Sequence, residues 1–160
     1  MTRRSKRFLR VEPTTIIGLG NLQRGDDAVG LLVAEQLSER NLPNVKVLCS
    51  SGEATDLLDK IPCCGLLILV DAMAQVSRRG RIRRMDTSIR PLPVDVFAQY
   101  STHGMGLSEA VEMARVLGRL PPRVIVYGVE GRHFEVGSEL SAELETSIKC
   151  LVQQITDELK

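Results

Sequence analysis

Runs of apolar residues alternate along this chain with segments of helical periodicity. Short runs rich in Val, Ile and Leu predict strands at residues 14–19, 45–49, 65–72 and 123–129. The third run is apolar on both faces, as expected of a central strand in a parallel sheet. Apolar positions at helical spacing predict helices at residues 28–40, 54–60, 106–117 and from Ser141, a predicted N-cap, to about residue 159.

A charged segment at residues 81–85 is predicted to be an edge or antiparallel strand, because sheet edges commonly carry charge. Pro91 and Pro93 predict an extended connection. The order of elements favours an α/β fold, namely a three-layer α/β/α sandwich with a mostly parallel twisted sheet, similar to those of phosphorylases and hydrolases.

Length and composition indicate one folded unit. With 160 residues, 43% hydrophobic and 26% charged, the chain is long enough to bury its own core. We expect a single domain at residues 14–160 and a basic, flexible tail at residues 1–13. The tail resembles a twin-arginine export signal but no apolar stretch follows it, so we expect a cytoplasmic protein. The alternative role of the tail is contact with an acidic partner.

Charge and aromatic content argue against two classes of partner. A net charge of +1 gives little electrostatic attraction for a polyanion. With 3 Phe, 2 Tyr and no Trp, the chain also has few aromatic side chains on which nucleic-acid bases could stack. No apolar run approaches the roughly 20 residues that span a bilayer. We therefore expect no binding to nucleic acid or membrane.

The cysteine pattern predicts reduced thiols. Cys49, Cys63, Cys64 and Cys150 include no Cys-x-x-Cys pair, so a cysteine zinc site lacks the required spacing. The adjacent pair Cys63 and Cys64 leaves a strained vicinal disulfide as the alternative.

Three side chains stand where the chain reverses after apolar segments. Asp27 follows the first strand and its Gly18-Leu19-Gly20 turn, Asp71 ends the central strand, and His103 lies in a Gly-rich loop. In open α/β sheets ligands bind at the carboxyl ends of the strands. Two carboxylates and an imidazole suit a divalent transition metal with open coordination positions. The glycines lack the third member of a dinucleotide fingerprint.

Ordinary structural roles compete with this interpretation. Asp26 or Asp27 can cap the following helix, and a lone histidine such as His103 is more often solvated than a ligand. Asp71 is harder to explain, because an ionised carboxylate at a buried strand end is costly unless exposed or paired. Glu53 and Glu130 are assigned to loops at the sheet edge and are expected to be solvated, although both could line a cleft there.

Several motifs together resemble those of the hydrogenase maturation protease family. Residues 18–21 with 25–30, residues 69–72 and residues 101–107 match its motifs in order and separation, and residues 50–55, 127–131 and 134–135 resemble one branch. Enzymes of this family are endopeptidases that trim the C-terminal extension of the large subunit of nickel–iron hydrogenases. The likeness covers about residues 14–160. It departs from the family at residues 49–52, where many relatives carry Asp-Gly-Gly.

The resemblance implies a site and a partner. Asp27, Asp71 and His103 match the family's three metal-contacting positions, with Asp27 rather than Asp26 aligned. The metal is then nickel supplied by the substrate, and the partner is a nickel–iron hydrogenase large-subunit precursor. Apart from the resemblance, we expect the enzyme to be a monomer. Asp26 is left to serve the start of the helix.

The residues alone leave the cleavage chemistry open. No Ser-His-Asp, Cys-His or His-Glu-x-x-His arrangement is present in a supporting context. A metal can polarise the scissile carbonyl or lower the pKa of a bound water, which is the favoured interpretation. A carboxylate acting as general base, with nickel only positioning the chain, is the alternative. Two other functions stay open: a peptidyl-tRNA hydrolase-like esterase, which the near-neutral charge disfavours, and a non-catalytic chaperone that checks nickel loading.

Overall fold

A mixed five-stranded sheet forms the centre of the computed structural model, which describes residues 12–97 and 105–160. The strands run in the order β2-β1-β3-β5-β4, and only β4 is antiparallel to its neighbour. They are β1 (Thr14–Leu19), β2 (Val45–Ser50), β3 (Leu66–Ala74), β4 (Ile82–Asp86) and β5 (Arg123–Gly131). The prediction of an antiparallel edge strand near residue 82 is confirmed.

Helices cover both faces of the sheet. They are α1 (Val29–Glu39), α2 (Ala54–Lys60), α3 (Val94–Phe97), α4 (Leu107–Val116) and α5 (Ala142–Glu158), with a 3-10 helix at Gly25–Ala28. Helices α1 and α5 pack on one apolar cluster, and α2, α3 and α4 pack on the other. The predicted three-layer α/β/α sandwich is confirmed.

Strand periodicity divides the core between the two faces. On β3, Leu67 and Leu69 are buried towards α2 and α4, whereas Ile68 and Val70 are buried towards α1 and α5. This alternation explains why the central strand is apolar at every position from 66 to 70.

Close packing of α1 on β1 depends on two glycines. A Cβ atom at Gly18 would lie 2.1 Å from the carbonyl oxygen of Gly30 in α1. Any side chain at residue 18 would therefore push the helix away from the sheet. The contact fixes the beginning of α1, and with it the preceding 3-10 helix, against the carboxyl end of β1.

The structure differs from the sequence prediction at three places. Strand β3 continues to Ala74 and β5 to Gly131, because these ends pair with each other through Met73 and Glu130. Glu130 therefore lies in a strand and not in a loop as predicted. The connection after Pro91 is also not wholly extended, since α3 follows Pro93 and buries Phe97 in the core.

All four cysteines are free thiols. Within residues 12–97 and 105–160, no helix has the length and apolar character that crossing a membrane would require. The predicted tail falls almost wholly on residues 1–11, which lie outside the described part of the chain.

Candidate active site

A cleft of about 340 Å³ opens at the carboxyl ends of the parallel strands. Its walls come from the loops after β1 and β2, the end of β3 and the start of α4. Among the described residues, the charged side chains that line it are Arg24, Asp27, Glu53 and Asp71. Two of the three predicted site residues therefore share one cleft.

Asp27 is held at the cleft by a tightly folded loop. Its N–H donates to the carbonyl of Arg24 at 3.0 Å, and its carbonyl accepts the N–H of Asn21 at 3.3 Å. Gly20 adopts a φ of +137°, and a Cβ there would lie 1.8 Å from the carbonyl oxygen of Asp27. Only glycine permits this close approach. Burial raises the pKa of the Asp27 carboxyl, an effect partly opposed by the Arg24 guanidinium and the Asn21 N–H.

Asp71 reaches the same cleft from inside β3, where it pairs with Gly128 of β5. Its Oδ1 accepts the N–H of Ala72 at 2.8 Å. Burial, together with the negative charge of Asp27, raises the pKa of Asp71 well above its usual range. The two carboxylates thus repel each other across the cleft, and a proton or a cation held between them would relieve the repulsion.

His103 lies outside the described residues, so its predicted place beside the two aspartates stays a prediction. In the part of the chain that the structure describes, no group of three His, Cys, Asp or Glu side chains is arranged to hold a metal. Asp27 and Asp71 are the two predicted site residues that the described structure brings together, close enough for their charges to interact.

Arg24 lines the cleft beside Asp27, although no motif in the sequence marked it as a site residue. Its Nε donates to the carbonyl of Phe134 at 2.9 Å, so the loop after β5 orients the guanidinium. No local sequence pattern signals this role, because the partner lies 110 positions away. Glu53 is exposed and lines the cleft, which is the position that sequence reasoning left open for it.

Asp26 does not cap the helix, which corrects the role expected for it. Its side chain is 0% exposed and makes no cap hydrogen bond to the 3-10 helix or to α1. Its Oδ2 accepts the N–H groups of Arg132 at 2.8 Å and His133 at 3.0 Å. The N–H of Ser141 donates to Oδ1 at 2.8 Å, and the Ser141 hydroxyl donates to Oδ2 at 2.9 Å.

These contacts make Asp26 the link between three segments that are distant in sequence. The N–H of Asp26 also donates to the carbonyl of His133 at 2.8 Å. Burial opposes ionisation of Asp26, but the donated hydrogen bonds outweigh it and lower the pKa of its carboxyl. Ser141 precedes α5 as predicted, yet its hydroxyl serves Asp26 instead of the helix. Asp26 thereby fixes the cleft wall that carries Asp27.

Glu130 is a second buried carboxylate, although its sequence position predicted a solvated side chain. Its side chain is 0% exposed, and it accepts N–H groups from Val76, Ser77 and Arg78 at 3.0, 2.7 and 3.0 Å. The Nε of Arg83 adds a contact at 2.7 Å. Although burial opposes ionisation, these donors hold the pKa of Glu130 at about 2. Glu130 therefore fastens the loop between β3 and β4.

The fold and the position of the cleft define an α/β protein with a pair of aspartates at the carboxyl edge of its parallel strands. The family model HycI, hydrogenase maturation protease, matches residues 31–158. The chain therefore belongs to the hydrogenase maturation protease family, as its motifs predicted, and is an enzyme of the endopeptidase class.

Individual relatives agree with this assignment. The hydrogenase 2 maturation protease of Escherichia coli K12 is 24% identical over 147 residues, covering 91% of this chain and 89% of the relative. The structure of the hydrogenase maturating endopeptidase HybD from E. coli has a TM-score of 0.75 at 22% identity, over 92% of this chain and 91% of that one. The NiFe hydrogenase maturation protease HycI from Thermococcus kodakarensis KOD1 has a TM-score of 0.68 at 24% identity, over 94% of each chain.

Proposed function

We propose that this enzyme removes the C-terminal extension of a nickel–iron hydrogenase large-subunit precursor after nickel insertion, and that it does so in the cytoplasm. The observation that carries the proposal is the pair Asp27 and Asp71 in one cleft of a chain from this family. The relatives are named as hydrogenase maturation proteases, which supports a hydrogenase precursor as the substrate.

Nickel enters the proposal as part of the substrate. Two repelling carboxylates favour a divalent cation between them, and nickel accepts oxygen and imidazole nitrogen ligands. We assign Asp27, Asp71 and His103 as the residues that contact it. Because the ion arrives with the precursor, a precursor without nickel would lack the group that these side chains recognise.

Two chemical roles are compatible with the cleft. Nickel bound to the precursor would polarise the scissile carbonyl or lower the pKa of a bound water. The raised pKa values of the Asp27 and Asp71 carboxyls also make either residue a better general base near neutral pH than an exposed aspartate. We favour metal-assisted hydrolysis, with the carboxylates as ligands.

Isosteric variants test the assignment of the aspartates. Asp27→Asn and Asp71→Asn remove one charge each with little change in volume, and each is expected to abolish trimming of a nickel-loaded precursor on a gel. Asp59→Asn, at an exposed aspartate of α2, is the matched control and should trim at the parent rate. Parent-rate trimming by Asp27→Asn, at an unchanged melting temperature, would refute its role.

The cleft charge weighs against the peptidyl-tRNA hydrolase alternative. Its described lining carries three carboxylates, Asp27, Glu53 and Asp71, against the single cation Arg24. A site for a polyphosphate chain needs the opposite balance. A non-catalytic chaperone that checks nickel loading would leave the precursor intact, whereas the protease would trim it. The gel assay with the nickel-loaded precursor therefore distinguishes these two functions.

A further inference from the structure

The structure points to a second substrate-binding region, at the outer edge of β4. We propose that this edge binds an extended acidic segment of the precursor polypeptide, which adds to the sheet as a further strand. The inference rests on the proposed function for the identity of the polypeptide. Its physical basis is independent of the cleft chemistry.

Strand β4 ends the sheet in the described part of the chain, so one side of its backbone faces outward. The carbonyl of Arg81 accepts the N–H of Glu130, and the N–H of Thr87 donates to Val124, both on the β5 side. Backbone groups alternate in direction along an antiparallel strand. The N–H and C=O groups of Ile82 and Arg84 therefore point away from β5, where an added strand can pair with them.

A groove of about 900 Å³ runs along this edge. Its apolar lining includes Val76 and Ile89, which are 58% and 75% exposed. Exposed aliphatic side chains in the groove can pack against apolar side chains of an extended peptide, in which every second side chain points to the same face.

Charge selects the kind of peptide. In the described part of the chain, the groove is lined by Arg81, Arg83, Arg84 and Arg90 and by one carboxylate, Asp86. Arg83 and Arg84 are already paired with Glu130 and Glu158, at 2.7 and 2.5 Å. Arg81 and Arg90 are exposed and form no ion pair within the described residues, although Nη1 of Arg81 donates to the Ser77 hydroxyl at 3.0 Å. An acidic segment complements these two charges. A second copy of the same edge would bring arginine against arginine, so this edge disfavours self-association.

The groove lies within reach of the candidate active site. Arg83, Gly128 and Asp71 form one row across β4, β5 and β3. With neighbouring strands about 4.8 Å apart, a strand added to β4 would run about 15 Å from β3, a span of roughly five extended residues. Pro91 and Pro93 line the groove, and Phe97 lines the cleft, so residues 91–97 lie between the groove and the cleft. A precursor with an acidic stretch about five residues from the cleaved bond could therefore place that stretch in the groove while the bond lies in the cleft.

Binding and trimming measurements separate this proposal from the proposed function. The probe is a labelled peptide of about eight alternating Glu and Val residues, with a Lys and Val peptide as its control. The variant Arg81→Glu/Arg90→Glu should weaken binding of the acidic peptide by about tenfold or more. Lys46→Glu/Lys149→Glu changes the same charge at exposed sites on β2 and α5, and should bind within about twofold of the parent.

Residue-resolved amide exchange tests strand addition itself. The acidic peptide should slow exchange at Ile82 and Arg84, and leave Arg83 and Met85, which already face β5, unchanged. Equal weakening by both double variants, no slowing at Ile82 and Arg84, or binding of a uridine oligonucleotide in place of the peptide would each overturn the proposal. With the nickel-loaded precursor, the groove variant should raise KM and spare kcat. A parent enzyme that binds the peptide but trims no precursor would refute the proposed function alone.

Discussion

Replacement of Asp26 by alanine tests how the cleft wall is held together. The substitution removes the carboxylate that accepts the N–H groups of Arg132, His133 and Ser141 and the hydroxyl of Ser141. If Asp26 were only a helix cap, its loss would cost about 0.5–2 kcal/mol. The observed network predicts a larger loss.

The magnitude follows from the donors left without an acceptor. Each buried donor that loses its partner costs about 1–3 kcal/mol, and Ser141 is only 8% exposed. Because Arg132 and His133 are exposed residues, water can partly replace the acceptor at their N–H groups. We therefore expect Asp26→Ala to lower the free energy of unfolding by about 3–5 kcal/mol. The corresponding fall in melting temperature is about 6–20 °C.

Urea denaturation followed by circular dichroism measures the loss. Asp26→Asn should also lower the free energy of unfolding, by about 1–3 kcal/mol, because the NH2 group of the asparagine must face one of the N–H donors. Asp27→Ala is the neighbouring control and should stay within about 1 kcal/mol of the parent, since its carboxyl is not part of the network. A loss below about 1 kcal/mol for Asp26→Ala would refute the reasoning.

Three further predictions concern other parts of the molecule. Because the pKa of Glu130 is lower in the folded than in the unfolded protein, its ionised carboxylate stabilises the fold above the unfolded pKa, and the parent should lose this stabilisation as pH falls from about 4.5 to about 2. In Glu130→Gln, the free energy of unfolding should lack this pH-dependent decrease. Gly18→Ala should lower the free energy of unfolding, measured by urea denaturation, by about 1–3 kcal/mol, because the added Cβ would meet the Gly30 carbonyl oxygen. A variant as stable as the parent would contradict this packing. Calorimetry should show weak nickel binding to the isolated chain, whereas a tightly held stoichiometric ion would contradict delivery by the substrate.

The local pattern of the chain was enough to predict most of the fold. The β-branched and aliphatic runs of β1, β3 and β5 are apolar because these strands lie inside the sheet, so their burial can be read directly from residue type. The charged β4 was recognisable as an edge for the complementary reason. The turn at Gly18 to Gly20 and the position of Asp71 on a central strand placed both aspartates near one edge of the sheet.

The burial and hydrogen-bond partners of the individual carboxylates depend on long-range contacts, which local sequence patterns do not show. Asp26 and Asp27 are adjacent, identical in type and equally suited to a helix start, yet only Asp26 is enclosed, by donors 106 to 115 positions later. Glu130 looked like a loop residue because its partners, Val76 to Arg78 and Arg83, approach it only when β4 pairs with β5. Residue type determined which groups can bind a metal or a peptide. Tertiary packing decided which of those groups are already satisfied inside the protein and which face the cleft, because hydrogen bonds between distant segments form only in the folded chain.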